Sequence, residues 1–108
     1  MEEGEDKCLK YTVNLVKRCE KVYKKFSKKG NPKLLKIINK HLDQLETNPD
    51  LGEELTEDLK GLHSIHIPEF DYRIVYEVHK NPDCVIDVYV IIYRKDVYKE
   101  LARYLGRG

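Results

Sequence analysis

Residues 59–98 read LKGLHSIHIPEFDYRIVYEVHKNPDCVIDVYVIIYRKDVY, and this stretch decides the fold. Its hydrophobic period is two, the period of strands, in which successive side chains point to opposite faces. In Leu62–Ile67, His63, Ile65 and Ile67 share one face, while Leu62, Ser64 and His66 share the other. In Phe70–His79, Tyr72, Ile74, Tyr76 and Val78 alternate with Asp71, Arg73, Val75 and Glu77. Lys80-Asn81-Pro82-Asp83 is turn chemistry. Val85–Tyr93 is almost wholly apolar, as a strand covered on both faces requires. The pattern predicts three successive strands. Four polar residues, His66, Arg73, Arg94 and Tyr98, interrupt or follow them.

Upstream, Tyr11, Val13 and Leu15 alternate with polar neighbours over residues 10–16 and predict a short half-buried strand. Cys19, Val22, Tyr23 and Phe26 then recur at helical spacing, so a helix is expected over Lys17–Lys29, ended by Gly30. Asn31-Pro32 supplies an N-cap and a first-turn proline for a second helix carrying Leu34, Leu35, Ile37, Ile38, Leu42 and Leu45. Asn48-Pro49 stops it. The short connection makes the two helices an antiparallel hairpin. Residues 48–60 are acidic and aperiodic and read as a surface loop, and a last helix from about Asp96 carries Val97, Leu101, Tyr104 and Leu105.

The order is β-α-α-β-β-β-α, an α+β fold with a helical hairpin on one face of a mostly antiparallel, twisted sheet. Ile65, Ile67, Tyr72, Ile74 and Tyr76 should meet the helices, which leaves Ser64, His66 and Arg73 on an open polar face. Strict alternation creates one conflict. It groups Arg94 with Ile86, Val88, Val90 and Ile92 on the core face, so the strand must end or twist near Tyr93 for Arg94 to join Arg73.

With 108 residues, the chain is expected to form one domain over 9–108 behind an acidic, disordered tail at 1–8. The 20 basic and 19 acidic residues nearly cancel, but setting aside Glu2, Glu3, Glu5 and Asp6 leaves 15 acidic residues and a mildly basic body. That permits a polyanionic partner without demanding one. No run approaches the ~20 apolar residues of a membrane span, and MEEGEDK lacks the flanks of a secretory signal, so a cytoplasmic protein without membrane association is expected. Cys8, Cys19 and Cys84 have neither metal-like nor redox spacing, and no disulfide framework is expected. His63 and His66 are three apart, which sends them to opposite strand faces and argues against a zinc site; no metal or other cofactor is expected.

At this point the chain resembles the RelE/ParE superfamily of type II toxin–antitoxin toxins, over roughly Tyr11 to Leu105. The resemblance rests on Asn48-Pro49, Leu51-Gly52, Leu59-Lys60-Gly61-Leu62, Asp71-Tyr72-Arg73-Ile74-Val75-Tyr76-Glu77-Val78 and Arg94-Lys95-Asp96-Val97-Tyr98, in that order. It implies a small RelE-like fold and a toxin that cleaves mRNA in the ribosomal A site without a metal, through Arg73, Arg94 and Tyr98. The lysine pair of well-known RelE members is replaced here by Ser64 and His66, which makes His66 the candidate acid–base group. The resemblance also implies a cognate antitoxin, a toxin–antitoxin heterotetramer, and the ribosome and its mRNA as partners. Two alternatives stay open: a ParE-like poison of DNA gyrase, and a catalytically weak relative that persists by binding antitoxin.

The residue types suit RNA cleavage, which needs a base for the ribose 2′-OH, cations for the phosphate and an acid for the leaving 5′-oxygen. Arginine matches phosphate geometry and stays charged. Histidine titrates near neutrality. Plainer readings stand beside these: Arg73 pairing with Glu77, His66 as a solvated strand residue, Tyr98 covering a sheet edge. Lys24, Lys25, Lys28, Lys29, Lys60 and Lys95 are either a solvated surface or the contacts that dock the domain on ribosomal RNA.

Overall fold

The computed structural model describes residues 8–101 apart from Gly30, Tyr98 and Glu100, together with the backbone but not the side chain of Lys29. Residues 1–7 of the expected tail and the last turns carrying Tyr104 and Leu105 lie outside the described residues. The elements are β1 (Thr12–Leu15), α1 (Lys17–Lys29), α2 (Pro32–Leu45), β2 (Glu53–Glu54), β3 (Leu62–Ile67), β4 (Tyr72–His79) and β5 (Val85–Tyr93). Single 3-10 turns at Glu57–Leu59 and Arg94–Asp96 precede β3 and follow β5. The expected loop over 48–60 therefore contains a strand, because Glu53 and Glu54 pair with Ser64 and His63. Two exposed glutamates carry no hydrophobic period that would announce it.

The sheet order is β1-β5-β4-β3-β2. β1 runs parallel to β5, with Thr12 opposite Val85 and Leu15 opposite Val88, and the other pairings are antiparallel. Both helices lie on one face. Cys19 of α1 and Leu34, Ile38 and Leu45 of α2 are buried against Ile65, Ile67, Ile74, Tyr76, Ile86, Val88 and Ile91. Each fully buried aliphatic side chain contributes roughly 1.5–3 kcal/mol over its exposed state. The Tyr23 hydroxyl donates to Asn39 Oδ1 at 2.6 Å and ties the two helices together. Asn31 makes no side-chain cap to α2, whose first residue is Pro32.

The opposite face is not the open polar surface expected of it. Leu62, Val75 and Val90 form a second apolar cluster there with Val97 and Leu101, and Ser64 is only 2% exposed. The segment after β5 folds back over the middle of the sheet, and the polar residues are confined to its ends.

A bulge in β5 resolves the conflict over Arg94. Val75 faces Val90 but Tyr76 faces Val88, so Tyr89 is an extra residue that the register with β4 skips. Before it, Ile86 and Val88 point to the helices; after it, Ile91 does, while Val90 and Ile92 turn to the second cluster. An inserted residue inverts the side-chain parity of everything that follows. Arg94, two residues past Ile92, thereby falls on the side of Arg73.

Cys8 and Cys84 form a disulfide, contrary to the expectation of none, and Cys19 is the free, buried cysteine. The parallel pairing of β1 with β5 causes it. Thr12 sits opposite Val85, so the chains leading into the two strands meet, with Cα atoms of the cysteines 5.7 Å apart. No described helix is long and apolar enough to cross a membrane.

Candidate functional site

The site lies where β3, β4 and β5 end together. His66, Arg73 and Ile92 are direct neighbours across the three strands, so their side chains share one face. One step further out, Tyr72 pairs with Tyr93, which brings Asp71 opposite Arg94. The Arg94 N–H donates to the Asp71 carbonyl at 2.8 Å and extends the ladder by one rung. Asp71 closes the tight β3–β4 turn with φ of 55°, a left-handed conformation that aspartate tolerates better than most residues.

Both arginines are tethered by one nitrogen. Arg73 Nη1 donates to the hydroxyl of buried Ser64 at 2.9 Å. Glu77, the alternative partner for Arg73, instead accepts the Tyr89 hydroxyl at 2.6 Å and lies 3.8 Å from His79. Arg94 Nε donates to Asp71 Oδ1 at 3.0 Å. The same carboxylate oxygen is 3.7 Å from His66 Nε2, too long for a hydrogen bond but close enough to pair with an imidazolium. The result is one guanidinium and an imidazole at a single carboxylate, with the second guanidinium, that of Arg73, across the ladder from His66 at the same end of the sheet. Such a set can hold an anion with the arginines and move a proton with the histidine.

His66, Arg73 and Arg94 are thus brought together, whereas Tyr98 lies outside the described residues. Lys95 is exposed beside Arg94. Lys60 lies at the far end of β3, at the rim of a cavity of about 250 Å³ that Leu62, Glu77, Tyr89 and Leu101 also line. Lys24, Lys25 and Lys28 are exposed on α1, with Lys24 3.9 Å from Glu20. Among the described residues, no group of three or more His, Cys, Asp or Glu side chains is placed to hold a metal ion. The residue that sequence reasoning passed over is Asp71. Its signal is an acidic residue at the turn immediately before the Tyr72-Arg73 pair.

Comparison with known proteins bears on the family and the fold. The sequence matches the family model described as the ParE toxin of type II toxin-antitoxin system, parDE, over residues 9–98. No curated protein matches the chain. Among solved structures, the RelBE2 toxin–antitoxin complex of Mycobacterium tuberculosis is similar with a TM-score of 0.64 at 21% identity, covering 85% of this chain and 100% of that one. Isolated Escherichia coli RelE toxin gives 0.64 at 21% identity, over 88% of this chain and 98% of that one. The heterotetrameric YoeB–YefM toxin–antitoxin complex of Staphylococcus aureus gives 0.63 at 25% identity, over 77% of this chain and 95% of that one.

Proposed function

The chain belongs to the ParE toxin family, within the RelE/ParE superfamily of type II toxin–antitoxin toxins, and we propose that it is a ribosome-dependent endoribonuclease that cuts mRNA in the A site. The observation that carries this reading is that Arg73, Arg94 and His66 lie at one end of the sheet, Arg73 paired with His66 across the ladder and Asp71 holding Arg94 close to His66. In the proposed reaction His66 takes the proton of a ribose 2′-OH, and the 2′-oxygen attacks the adjacent phosphorus. The 2′-O–P bond forms as the P–O5′ bond breaks, leaving a 2′,3′-cyclic phosphate. Arg73 and Arg94 neutralise the non-bridging oxygens as charge accumulates. Tyr98 is the proposed donor of the proton that the leaving 5′-oxygen requires.

Docking falls to the helical hairpin. Lys17, Arg18, Lys21, Lys24, Lys25 and Lys28 of α1 and Lys33, Lys36 and Lys40 of α2 are exposed, against two exposed acidic residues, Glu20 and Asp43. With the neighbouring Lys29 and with Lys60 and Lys95, they form the proposed contacts to ribosomal RNA, whose phosphates reward such a surface. The proposed protein partner is a cognate antitoxin, in a heterotetramer like that of the staphylococcal YoeB–YefM complex.

The test is cleavage on programmed ribosomes. Site-specific cuts that vanish in Arg73→Ala and Arg94→Ala support the reading, and mRNA left whole by the parent protein refutes it. His66→Gln should slow single-turnover cleavage more than it weakens ribosome binding; equal rates would remove His66 from the mechanism. The family description favours a second reading, a gyrase poison, and trapping of gyrase on cut DNA by the parent protein would establish it.

A further inference from the structure

Asp71 is an anomaly in a site built to hold phosphate, because its carboxylate repels the proposed substrate. The Asp71–Arg94 pair is also exposed, at 56% and 57% for the two side chains, so it contributes little to stability. Yet the contact is made twice, by the backbone carbonyl at 2.8 Å and by the carboxylate at 3.0 Å. The main-chain bond is the ladder's last rung and fixes where Arg94 starts, and the carboxylate bond then fixes its side chain. The left-handed turn at Asp71, with φ of 55°, accompanies both contacts with the same residue.

The anchored atom of the guanidinium is Nε, the inner one. Among the described residues the two outer Nη groups of Arg94 have no partner, so the edge that binds phosphate in a bidentate fork stays available. Arginine loses much rotamer freedom when it grips a ligand. A side chain already held at Nε has lost part of that freedom beforehand.

We infer that Asp71 is the positioning residue of this site: it clasps Arg94 at the backbone and at Nε and aims the outer guanidinium edge at the scissile phosphate. The assignment rests on the nuclease reading above. It predicts a separation of binding from rate that a purely structural residue would not produce. Removing the carboxylate removes a repulsive charge, which tightens RNA binding by at most about three-fold. It also releases Arg94 and slows the chemical step by about ten-fold, since small misplacement of a catalytic group is costly.

The experiment compares the parent protein with D71G, D71N, R94A and D71G/R94A. It reads single-turnover cleavage on programmed ribosomes, and affinity for ribosomes carrying mRNA blocked by a 2′-deoxy residue at the cut site. Glycine is at ease at positive φ, so D71G removes the carboxylate without straining the turn. Expected results are a D71G rate about ten-fold down with binding unchanged or slightly tighter, and a D71N rate within about three-fold of the parent. The asparagine carbonyl still accepts from Nε and tolerates the left-handed backbone. D71G/R94A should be no slower than R94A, because Asp71 acts through Arg94. D71G at the parental rate, D71N as slow as D71G, or additive losses in the double variant would each overturn the assignment. A parent that cuts nothing overturns the nuclease reading and this inference together; a parent that cuts, with D71G cutting as fast, overturns only the role of Asp71.

Discussion

The hydroxyl of Tyr76 donates a hydrogen bond to the backbone carbonyl of Pro49, 2.8 Å away, from a ring that is wholly buried. The same oxygen accepts the Gly52 N–H at 2.7 Å. One side chain on the central strand β4 thus satisfies two backbone groups of the loop after α2, and this explains why Asn48-Pro49 and Leu51-Gly52 accompany a tyrosine far away in sequence. Burial is the main reason that the phenol's pKa is raised, and nearby Asp50 adds to it. Tyr76→Phe leaves a donor and an acceptor without their partner. We expect a loss of about 1–3 kcal/mol in urea unfolding, with an unchanged slope against denaturant. An unchanged midpoint would mean that solvent replaces both bonds.

Gly52 is required by space rather than by backbone conformation. A Cβ built there would lie 2.7 Å from the Ser64 carbonyl oxygen and 2.8 Å from its carbonyl carbon. Backbone cannot move aside as a flexible side chain can. Gly52→Ala should therefore push β2 away from β3, at a cost of about 1–3 kcal/mol. Ser64 also carries the bond to Arg73, so the substitution should slow cleavage even at temperatures where the protein stays folded. Thermal melting and single-turnover cleavage at low temperature read the two effects separately.

The Cys8–Cys84 disulfide joins residues 76 apart in sequence and fixes the chain that leads into edge strand β1. Constraining so long a loop in the unfolded chain stabilises the fold by roughly 4 kcal/mol in the loop-entropy account. Cys8→Ser should lower stability by about that amount, and dithiothreitol should do the same to the parent protein while leaving the variant unchanged. Denaturant curves with and without reductant measure both. A reductant effect of equal size in Cys8→Ser would show that it does not act through this bond.

Most of the frame was readable because apolar residues recur at two periods, 3.6 in α1 and α2 and two in β3 and β4. What escaped depends on relations between strands rather than on patterns within them. The bulge at Tyr89 leaves no trace because Val85–Tyr93 is apolar on both faces, so an extra residue does not disturb any alternation. The disulfide needed the parallel register of Thr12 with Val85. Asp71 needed the register of Tyr72 with Tyr93, and only that places it opposite Arg94. Burial of Ser64 needed the chain after β5 to return across the sheet, and Val97 and Leu101 taken alone do not say which face they cover.

Deleting Tyr89 tests the bulge directly. Without the extra residue, Val90 and Ile92 would turn toward the helices and Ile91 away from them, and Arg94 would leave the side of Arg73. Each misplaced aliphatic residue costs roughly 1.5–3 kcal/mol, and together they rival the ~5–15 kcal/mol that holds a domain folded. The deletion variant should lack the dispersed amide spectrum of a folded protein. Tyr89→Phe keeps the bulge while losing the hydroxyl's bond to Glu77, so it should fold. A folded, active deletion variant would show that the inverted parity after residue 89 is not required.

Alkaline pH should destabilise the fold through Cys19. This thiol is 2% exposed, and burial pushes its pKa up to about 12, whereas an unfolded cysteine ionises near ~8.5. Because the folded value is the higher one, the contribution to stability is complete below the unfolded pKa and declines as pH rises toward the folded one. In that window the unfolded chain releases a proton that the folded chain keeps, and stability falls by up to ~1.4 kcal/mol per pH unit. Tyr72 and Tyr76 are also raised, mainly by burial, and begin to act as pH approaches the tyrosine range near ~10. The interval between about pH 8.5 and 9.5 is therefore governed mainly by the cysteine. Urea unfolding of the oxidised protein at the two ends of that interval should show a loss of about 1 kcal/mol. Cys19→Ala begins from a lower stability because it leaves a small cavity, but its curve should stay nearly flat over the same range. Parallel decline of the two proteins would assign the alkaline sensitivity to another group.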